Sequence, residues 1–121
     1  MIIKVPFKTP TVNHLYWHRG NMKILTKEAR ELREKINMIV ISAMAYDYNL
    51  GRDKLSIDVE IHEDWLTKKG EVARKDIANR EKFLIDSVFK ALGIDDKFIF
   101  KHIFLKVQDS EEFALINITA L

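Results

Sequence analysis

A regular alternation of apolar and polar residues constrains the fold of this chain more than any other feature. The apolar positions of this segment are Leu55, Ile57, Val59 and Ile61. Single polar residues separate them, and His62 follows the last. Because side chains of a β-strand alternate between its two faces, all four apolar side chains lie on the same face. The segment is therefore expected to be a strand with one buried face.

Two segments on either side of this strand have the three- and four-residue apolar spacing of amphipathic helices. The first follows Thr26, a suitable N-cap, and is expected to end near residues 49–51. Its apolar stripe consists of Ala29, Leu32, Ile36, Ile39, Val40 and Ala43. The second is expected to run from an N-cap at Asn79 to Leu92, with Gly93 in the left-handed conformation after its end.

The remaining β-prone segments indicate a mixed β-sheet. They are residues 2–7, 22–25, 99–107 and 113–118. Residues 8–20 are expected to be a loop, and residues 109–112 to join the last two strands as a hairpin. The predicted fold is α+β: one domain over residues 1–121, with two main helices packed on the sheet in the order β-α-β-α-β-β.

Composition limits the chain to one core and excludes several classes of protein. A chain of 121 residues with 47% hydrophobic content is long enough for one domain but not for two. It contains no cysteine, which excludes disulfides and thiolate zinc sites. No apolar run approaches the roughly 20 residues that span a bilayer, and the start lacks the apolar region of a signal peptide. An intracellular protein without a membrane partner is expected.

Carboxylates and a lysine gather around the start of the second helix. These polar residues are Asp76, Asn79, Lys82, Asp86, Asp95 and Asp96. At about 100° per residue, those within the helix share one face. A turn at Gly93 could return the last two carboxylates toward the foot of that face. Since converging carboxylates repel each other without a cation, their convergence would imply a bound metal ion or a raised pKa.

Metal-dependent phosphate chemistry would explain this pattern. Carboxylate oxygens without cysteine favour Mg²⁺ or Mn²⁺ over zinc. Such an ion would polarise a phosphodiester and help to generate a hydroxide nucleophile, while Lys82 could neutralise charge on the phosphate. The same residues also fit a solvated surface, with Lys82 and Asp86 as an ordinary i,i+4 pair and residues 95–96 as a polar turn. The residues alone leave both readings open.

Across most of its length the chain resembles the RusA-type Holliday junction resolvases, which are small magnesium-dependent crossover junction endodeoxyribonucleases. The resemblance is carried by Pro-Thr-Val-Asn-His-Leu-Tyr at 10–16, Asp-Ile-Ala-Asn-Arg-Glu-Lys at 76–82, the helix with Asp86, Gly-Ile-Asp-Asp at 93–96 and the Lys106 strand. It implies a homodimer that binds four-way DNA junctions and nicks two strands symmetrically. A cytoplasmic or nucleoid-associated location follows, or the host cytoplasm if the chain is viral.

The resemblance also implies roles for individual residues. Asp76 and Asp96 would be metal ligands and catalytic residues, and Asp95 a neighbouring or auxiliary ligand. Lys82 would be an essential basic residue. Asn79 and Asp86 would support the site. The implied cofactor is Mg²⁺, with Mn²⁺ as a substitute.

One position departs from the family pattern Asp-x-Asp-Asn-x-x-Lys. Ala78 occupies the place of the second metal-binding aspartate and supplies no oxygen. Either the lineage has lost cleavage, or alanine was put in place of a native aspartate to obtain a stable, non-toxic form. Loss of a ligand should weaken metal binding and cut turnover by orders of magnitude. The chain is therefore expected to be catalytically impaired, with a non-cleaving branched-DNA binding module or an ordinary α+β interaction protein as alternatives.

Two basic clusters suit contacts with DNA. With 20 Lys and Arg against 18 Asp and Glu, the formal charge is only +2, so DNA binding must depend on where the charges lie. The first cluster interleaves donors with aromatic rings suited to phosphate contacts and base stacking: Lys8, Asn13, His14, Tyr16, Trp17, His18, Arg19 and Lys23. The second would guide a phosphate toward the carboxylates: Lys68, Lys69, Arg74, Lys75 and Arg80. The rival readings are aromatic rings that cover the core edge and a solvated basic loop.

Overall fold

The computed structural model describes residues 1–11, 16–46, 50 and 53–121, without the side chain of Asn79. Its elements are β1 (Ile2–Val5), β2 (Tyr16–Arg19), β3 (Met22–Leu25), α1 (Lys27–Tyr46), β4 (Leu55–Glu63), α2 (Ala78–Leu92), β5 (Ile99–Gln108) and β6 (Phe113–Ala120). Four strands form one sheet in the order β1-β6-β4-β5, in which only β5 is parallel to its neighbour. The predicted α+β fold, with a mixed sheet and two main helices, is confirmed.

Strand β4 lies in the interior of the sheet, between β6 and β5. Its four alternating apolar side chains are all buried, as the period of two predicts. The strand continues one residue beyond the predicted segment and ends at Glu63, whose carboxylate is also buried. A buried charge at a strand end requires partners, and these lie beside the candidate site.

Both helices place their apolar stripes in the single hydrophobic core. The Thr26 hydroxyl accepts a hydrogen bond from the Ala29 amide at 3.2 Å, which confirms the predicted cap of α1. The described part of this helix ends at Tyr46, and residues 47–49, near its predicted end, lie outside the described residues. None of the helices in the described chain is both long and apolar enough to cross a membrane.

The C-terminal end of α2 agrees with the prediction, and its N-terminal end does not. Gly93 adopts φ 69° and its amide bonds to the Lys90 carbonyl, so the predicted left-handed C-cap is confirmed. The predicted N-cap at Asn79 is wrong, because the helix already begins at Ala78. The Asp76 carboxylate accepts from the Ala78 amide at 2.9 Å and satisfies that first orphan donor.

Two further predictions about the strands are wrong. Residues 109–112 do not close a hairpin, because β4 lies between β5 and β6: His62 faces Val107 on one side and Phe113 on the other. Residues 16–19 were expected to be loop but form β2, which pairs with β3 in a separate two-stranded sheet. The turn residues at 20–21, between two short β-prone segments, are the sequence signal that could have predicted this hairpin.

Candidate active site

The early turns of α2 and the start of β5 border an open pocket of about 350 Å³, which we call the acidic pocket. Its lining residues are Ala78, Glu81, Lys82, Ile85, Asp86, Asp96, Ile99 and His102. The five helical members fall on one face at about 100° per residue. The structure therefore brings together Lys82, Asp86 and Asp96 from the sequence prediction, with Ala78 among them.

The acidic pocket holds three carboxylates, one ammonium group and one imidazole. The Glu81 carboxylate lies 2.9 Å from His102 Nδ1, and the two side chains are about one-third exposed. Sequence analysis missed both as site members. Glu81 could have been found, because it precedes Lys82 on the same helical turn. His102 could not, because its place depends on how β5 lies beside α2.

The other predicted ligands are engaged with backbone amides. Asp76 caps the amide of Ala78, and Asp95 Oδ1 accepts from the Lys97 amide at 2.9 Å at the start of a short 3-10 turn. Neither is among the lining residues of the acidic pocket. The turn after Gly93 thus delivers one carboxylate of its pair, Asp96, to the pocket.

The donor set can be compared with what a magnesium ion requires. Mg²⁺ takes oxygen ligands in a near-octahedral arrangement. Across the described residues, no three His, Asp or Glu side chains come close enough together to hold a metal ion. Ala78 offers the pocket a methyl group and no oxygen. As they stand, the described side chains do not fit a complete magnesium site, and metal binding stays a prediction.

A buried ion-pair network lies next to the start of α2. Arg80 is 3% exposed, and its guanidinium donates to Glu63 at 2.6 and 3.3 Å and to the Thr9 carbonyl at 2.7 Å. Lys75 donates to Glu63 at 3.2 Å and to the Asp64 carbonyl. Arg80, predicted to belong to the basic cluster that guides a phosphate, is thus buried with its charge paired to Glu63, and its contact with DNA stays a prediction. The Lys75 ammonium group is likewise held by protein partners.

The Lys106 side chain joins the same network. Its ammonium group donates to the Lys75 carbonyl and lies 4.9 Å from the centre of the Trp65 ring. Trp65 is buried, and its indole N–H donates to the Ile61 carbonyl at 3.0 Å. The segment that precedes α2 is therefore fixed to β4 and β5 at several points.

Part of the predicted DNA-contacting surface remains exposed. Lys68, Lys69 and Arg74 lie in the loop between β4 and α2, with their side chains in solvent. On β2, Trp17 is 47% exposed, whereas Tyr16 packs against the core edge. The exposed residues of β2 also include Arg19. The predicted contacts Asn13 and His14 lie outside the described residues.

Comparison with known proteins identifies a family. The model of the family described as endodeoxyribonuclease RusA matches residues 6–119, nearly the whole chain. No curated protein matches the chain significantly.

Proposed function

The chain belongs to the RusA endodeoxyribonuclease family, and we propose that it binds four-way DNA junctions as a Holliday junction resolvase whose cleavage is impaired at Ala78. One observation carries the proposal: Ala78, Lys82 and Asp96 line the same pocket. The alanine therefore lies among the groups that would act on a phosphodiester. A substitution at this place changes the chemistry of the pocket while leaving the DNA-binding surface intact.

The negative charge of the acidic pocket supports the proposal that cleavage requires a bound cation. Three carboxylates and one ammonium group give it a formal charge of −2 with His102 neutral. A phosphate is repelled from such a site unless a cation offsets the carboxylates. Lys82 supplies one such charge. A bound Mg²⁺ would add two more, polarise the phosphate and activate water.

An aspartate at position 78 would supply the missing oxygen donor beside Asp96. The Asp76 carboxylate lies two residues away, where exchange of one backbone hydrogen bond would free an oxygen. The proposal thus assigns Asp76 and Asp96 as ligands of the restored site and Lys82 as its phosphate-facing cation. A homodimer is proposed as well, because two matched incisions across a near-symmetric junction suit a two-fold assembly.

The test is to compare the chain with its Ala78→Asp variant on a labelled four-way junction and on a linear duplex of the same sequence. Both proteins should prefer the junction at low salt. Only the variant should cut it, in Mg²⁺ and not in EDTA, with a gain of at least about a hundredfold, which is the scale of a lost ligand. Ala78→Asn is the matched control for side-chain size, and Lys82→Gln in the Ala78→Asp background should abolish the gain.

Each other outcome has a distinct meaning. If the junction is bound but Ala78→Asp never cuts it, the chain is a non-cleaving branched-DNA binding module. If neither protein distinguishes the junction from the duplex, the proposed substrate is wrong.

A further inference from the structure

A second pocket, of about 320 Å³, lies on another side of α2 from the acidic pocket. Its lining residues are Lys8, Thr9, Pro10, Thr11 and Arg80. We propose that this threonine pocket is an oxyanion site for a phosphate group, which in the DNA complex is a backbone phosphodiester. The part of the inference that concerns a DNA phosphate rests on the proposed binding of four-way junctions.

The carrying observation is a set of buried polar atoms without partners. Among the described residues, three buried side-chain atoms have no hydrogen-bond partner: Thr9 Oγ1, Thr11 Oγ1 and Arg80 Nε. All three belong to residues of the threonine pocket. Thr9 is 1% exposed and Arg80 3%, so their side chains form the wall of the pocket and not the open surface of the protein. Because buried polar atoms are nearly always paired with protein, water or a ligand, three such atoms around one pocket offer a bound group several hydrogen bonds at once.

The chemistry of these atoms selects an anion. Arg80 Nε can only donate, and a hydroxyl group donates as readily as it accepts. The Lys8 ammonium group adds a positive charge, and none of the five lining residues is a carboxylate. Phosphate presents several acceptor oxygens and is bound well by guanidinium and ammonium groups. The threonine pocket is therefore complementary to phosphate in a way that the acidic pocket is not.

The ion-pair network prepares Arg80 for this role. The two terminal nitrogens of the guanidinium donate to Glu63 and to the Thr9 carbonyl, which fixes its plane and leaves Nε as the nitrogen without a partner among the described residues. Among the described residues, Lys8 pairs with Glu112 at 3.5 Å, and both side chains are half exposed. An exposed pair of this kind exchanges at little cost, so Lys8 is available to a ligand.

The location links the threonine pocket to the proposed reaction site. Arg80 lies in the same helical turn as Ala78 and Glu81, which line the acidic pocket. At about 100° per residue, Ala78 and Arg80 lie on different sides of α2, so a nucleic-acid strand would pass around the start of the helix to place phosphates in both pockets. The threonine pocket would hold the strand in register without taking part in bond breaking.

The first test uses Thr9→Val, which removes the orphan hydroxyl with little change in shape. Thermal melting of the full chain is compared in inorganic phosphate and in chloride at equal ionic strength. The unchanged protein should gain several degrees in Tm specifically from phosphate, by preferential binding to the folded state. Thr9→Val should melt at or above the original Tm in chloride, because an unpaired buried hydroxyl is gone, yet lose the gain in phosphate. Thr119→Val, at an exposed threonine of β6, is the matched control.

The second test measures affinity for a four-way junction by fluorescence anisotropy. Thr9→Val and Thr11→Val should each weaken binding about tenfold, the effect of one hydrogen bond to a charged group, and Thr119→Val should not. If phosphate stabilises the protein but these variants bind the junction normally, the site takes free phosphate and the DNA contact is refuted. Equal responses of Thr9→Val and Thr119→Val in both tests overturn the whole inference. If no junction binds but the phosphate effect is present and lost in Thr9→Val, the junction proposal fails while the oxyanion site stands.

Discussion

The Glu63 carboxylate and the Arg80 guanidinium form a two-pronged ion pair, although both side chains are almost completely buried. Glu63 is the last residue of β4, and Arg80 lies in the first turn of α2. The pair therefore ties the interior of the sheet to the helix that carries the acidic pocket. Since Arg80 also holds the Thr9 carbonyl, the same contact fixes the chain after β1.

Removal of the Glu63 charge should destabilise the protein strongly. In Glu63→Gln, the guanidinium of Arg80 stays buried without a compensating charge, and Lys75 loses its carboxylate as well. Broken buried pairs of this kind cost about 3–5 kcal/mol. Urea denaturation at neutral pH measures the effect. Glu31→Gln, which breaks an exposed i,i+4 pair with Lys27, is the control and should cost less than about 0.5 kcal/mol. Similar losses in the two variants would mean that the buried pair contributes no more than a surface pair.

Stability should depend on pH through His62, which lies between two carboxylates. Its Nδ1 is 3.0 Å from Asp109 and its Nε2 3.0 Å from Glu60. Burial by itself lowers the pKa of His62, but the hydrogen bonds and charges of Glu60 and Asp109 together outweigh burial and raise the pKa above the ordinary 6.5. The ring also stacks on Phe113 at 4.1 Å, with the Lys4 ammonium group over that phenyl ring.

The raised pKa of His62 determines how the stability of the protein changes with pH. A group with a raised folded-state pKa stabilises the fold fully below its unfolded pKa, and the contribution fades as the pH rises through the folded-state pKa. His62→Gln should therefore destabilise the protein more near about pH 6 than near about pH 8.5. Urea unfolding at the two pH values measures the difference, with His18→Gln on the exposed strand β2 as the control. An equal loss for His62→Gln at both pH values would exclude the charged imidazole as a source of stability.

Junction binding should depend steeply on salt because of the exposed lysines between β4 and α2. Lys68→Gln combined with Lys69→Gln should lower the slope of log affinity against log salt by about two, since each phosphate contact contributes about one. The control is Lys27→Gln on α1, which should leave the slope unchanged. Anisotropy titrations from low to moderate salt provide the measurement. A flat profile for the unchanged protein would contradict DNA binding through these charges.

The fold was predictable where local patterns are sufficient. The period of two in β4 and the apolar stripe of α1 both arise from single elements. The β4 positions are buried, and the α1 stripe is buried at Ala29, Ile36 and Val40 and partly buried at its other positions. The hairpin between β5 and β6 was wrong because pairing is decided by distant residues. A short link at 109–112 suits a hairpin as well as a crossing over the end of β4, and only the central position of β4 in the sheet separates the two.

The candidate site was likewise predictable only where a local pattern places the residues. Helical periodicity alone places Lys82 and Asp86 on one face, and the turn after α2 brings Asp96 to them. The burial of Arg80 could not be read from its basic surroundings, because it depends on Glu63, 17 residues away, and on Thr9, 71 residues away. A charged residue in a basic segment looks solvated until its partner is located in space.

Magnesium should raise the melting temperature of Ala78→Asp, whereas without divalent ions charge repulsion should lower it. Without divalent ions, the added carboxylate lies in a pocket that already holds Glu81, Asp86 and Asp96, so Ala78→Asp should lose about 1 kcal/mol. With Mg²⁺, the same carboxylate completes a set of oxygen donors, and selective binding to the folded state should more than restore the loss. The original chain, which lacks this donor, should gain little. Asp96→Asn in the Ala78→Asp background is the decisive control, because it both relieves charge repulsion and removes a metal ligand. The loss of stability without divalent ions and the gain of stability with Mg²⁺ should therefore both be smaller. Equal Mg²⁺ responses in all three proteins would place any bound ion away from position 78, and the missing carboxylate would then not explain impaired cleavage.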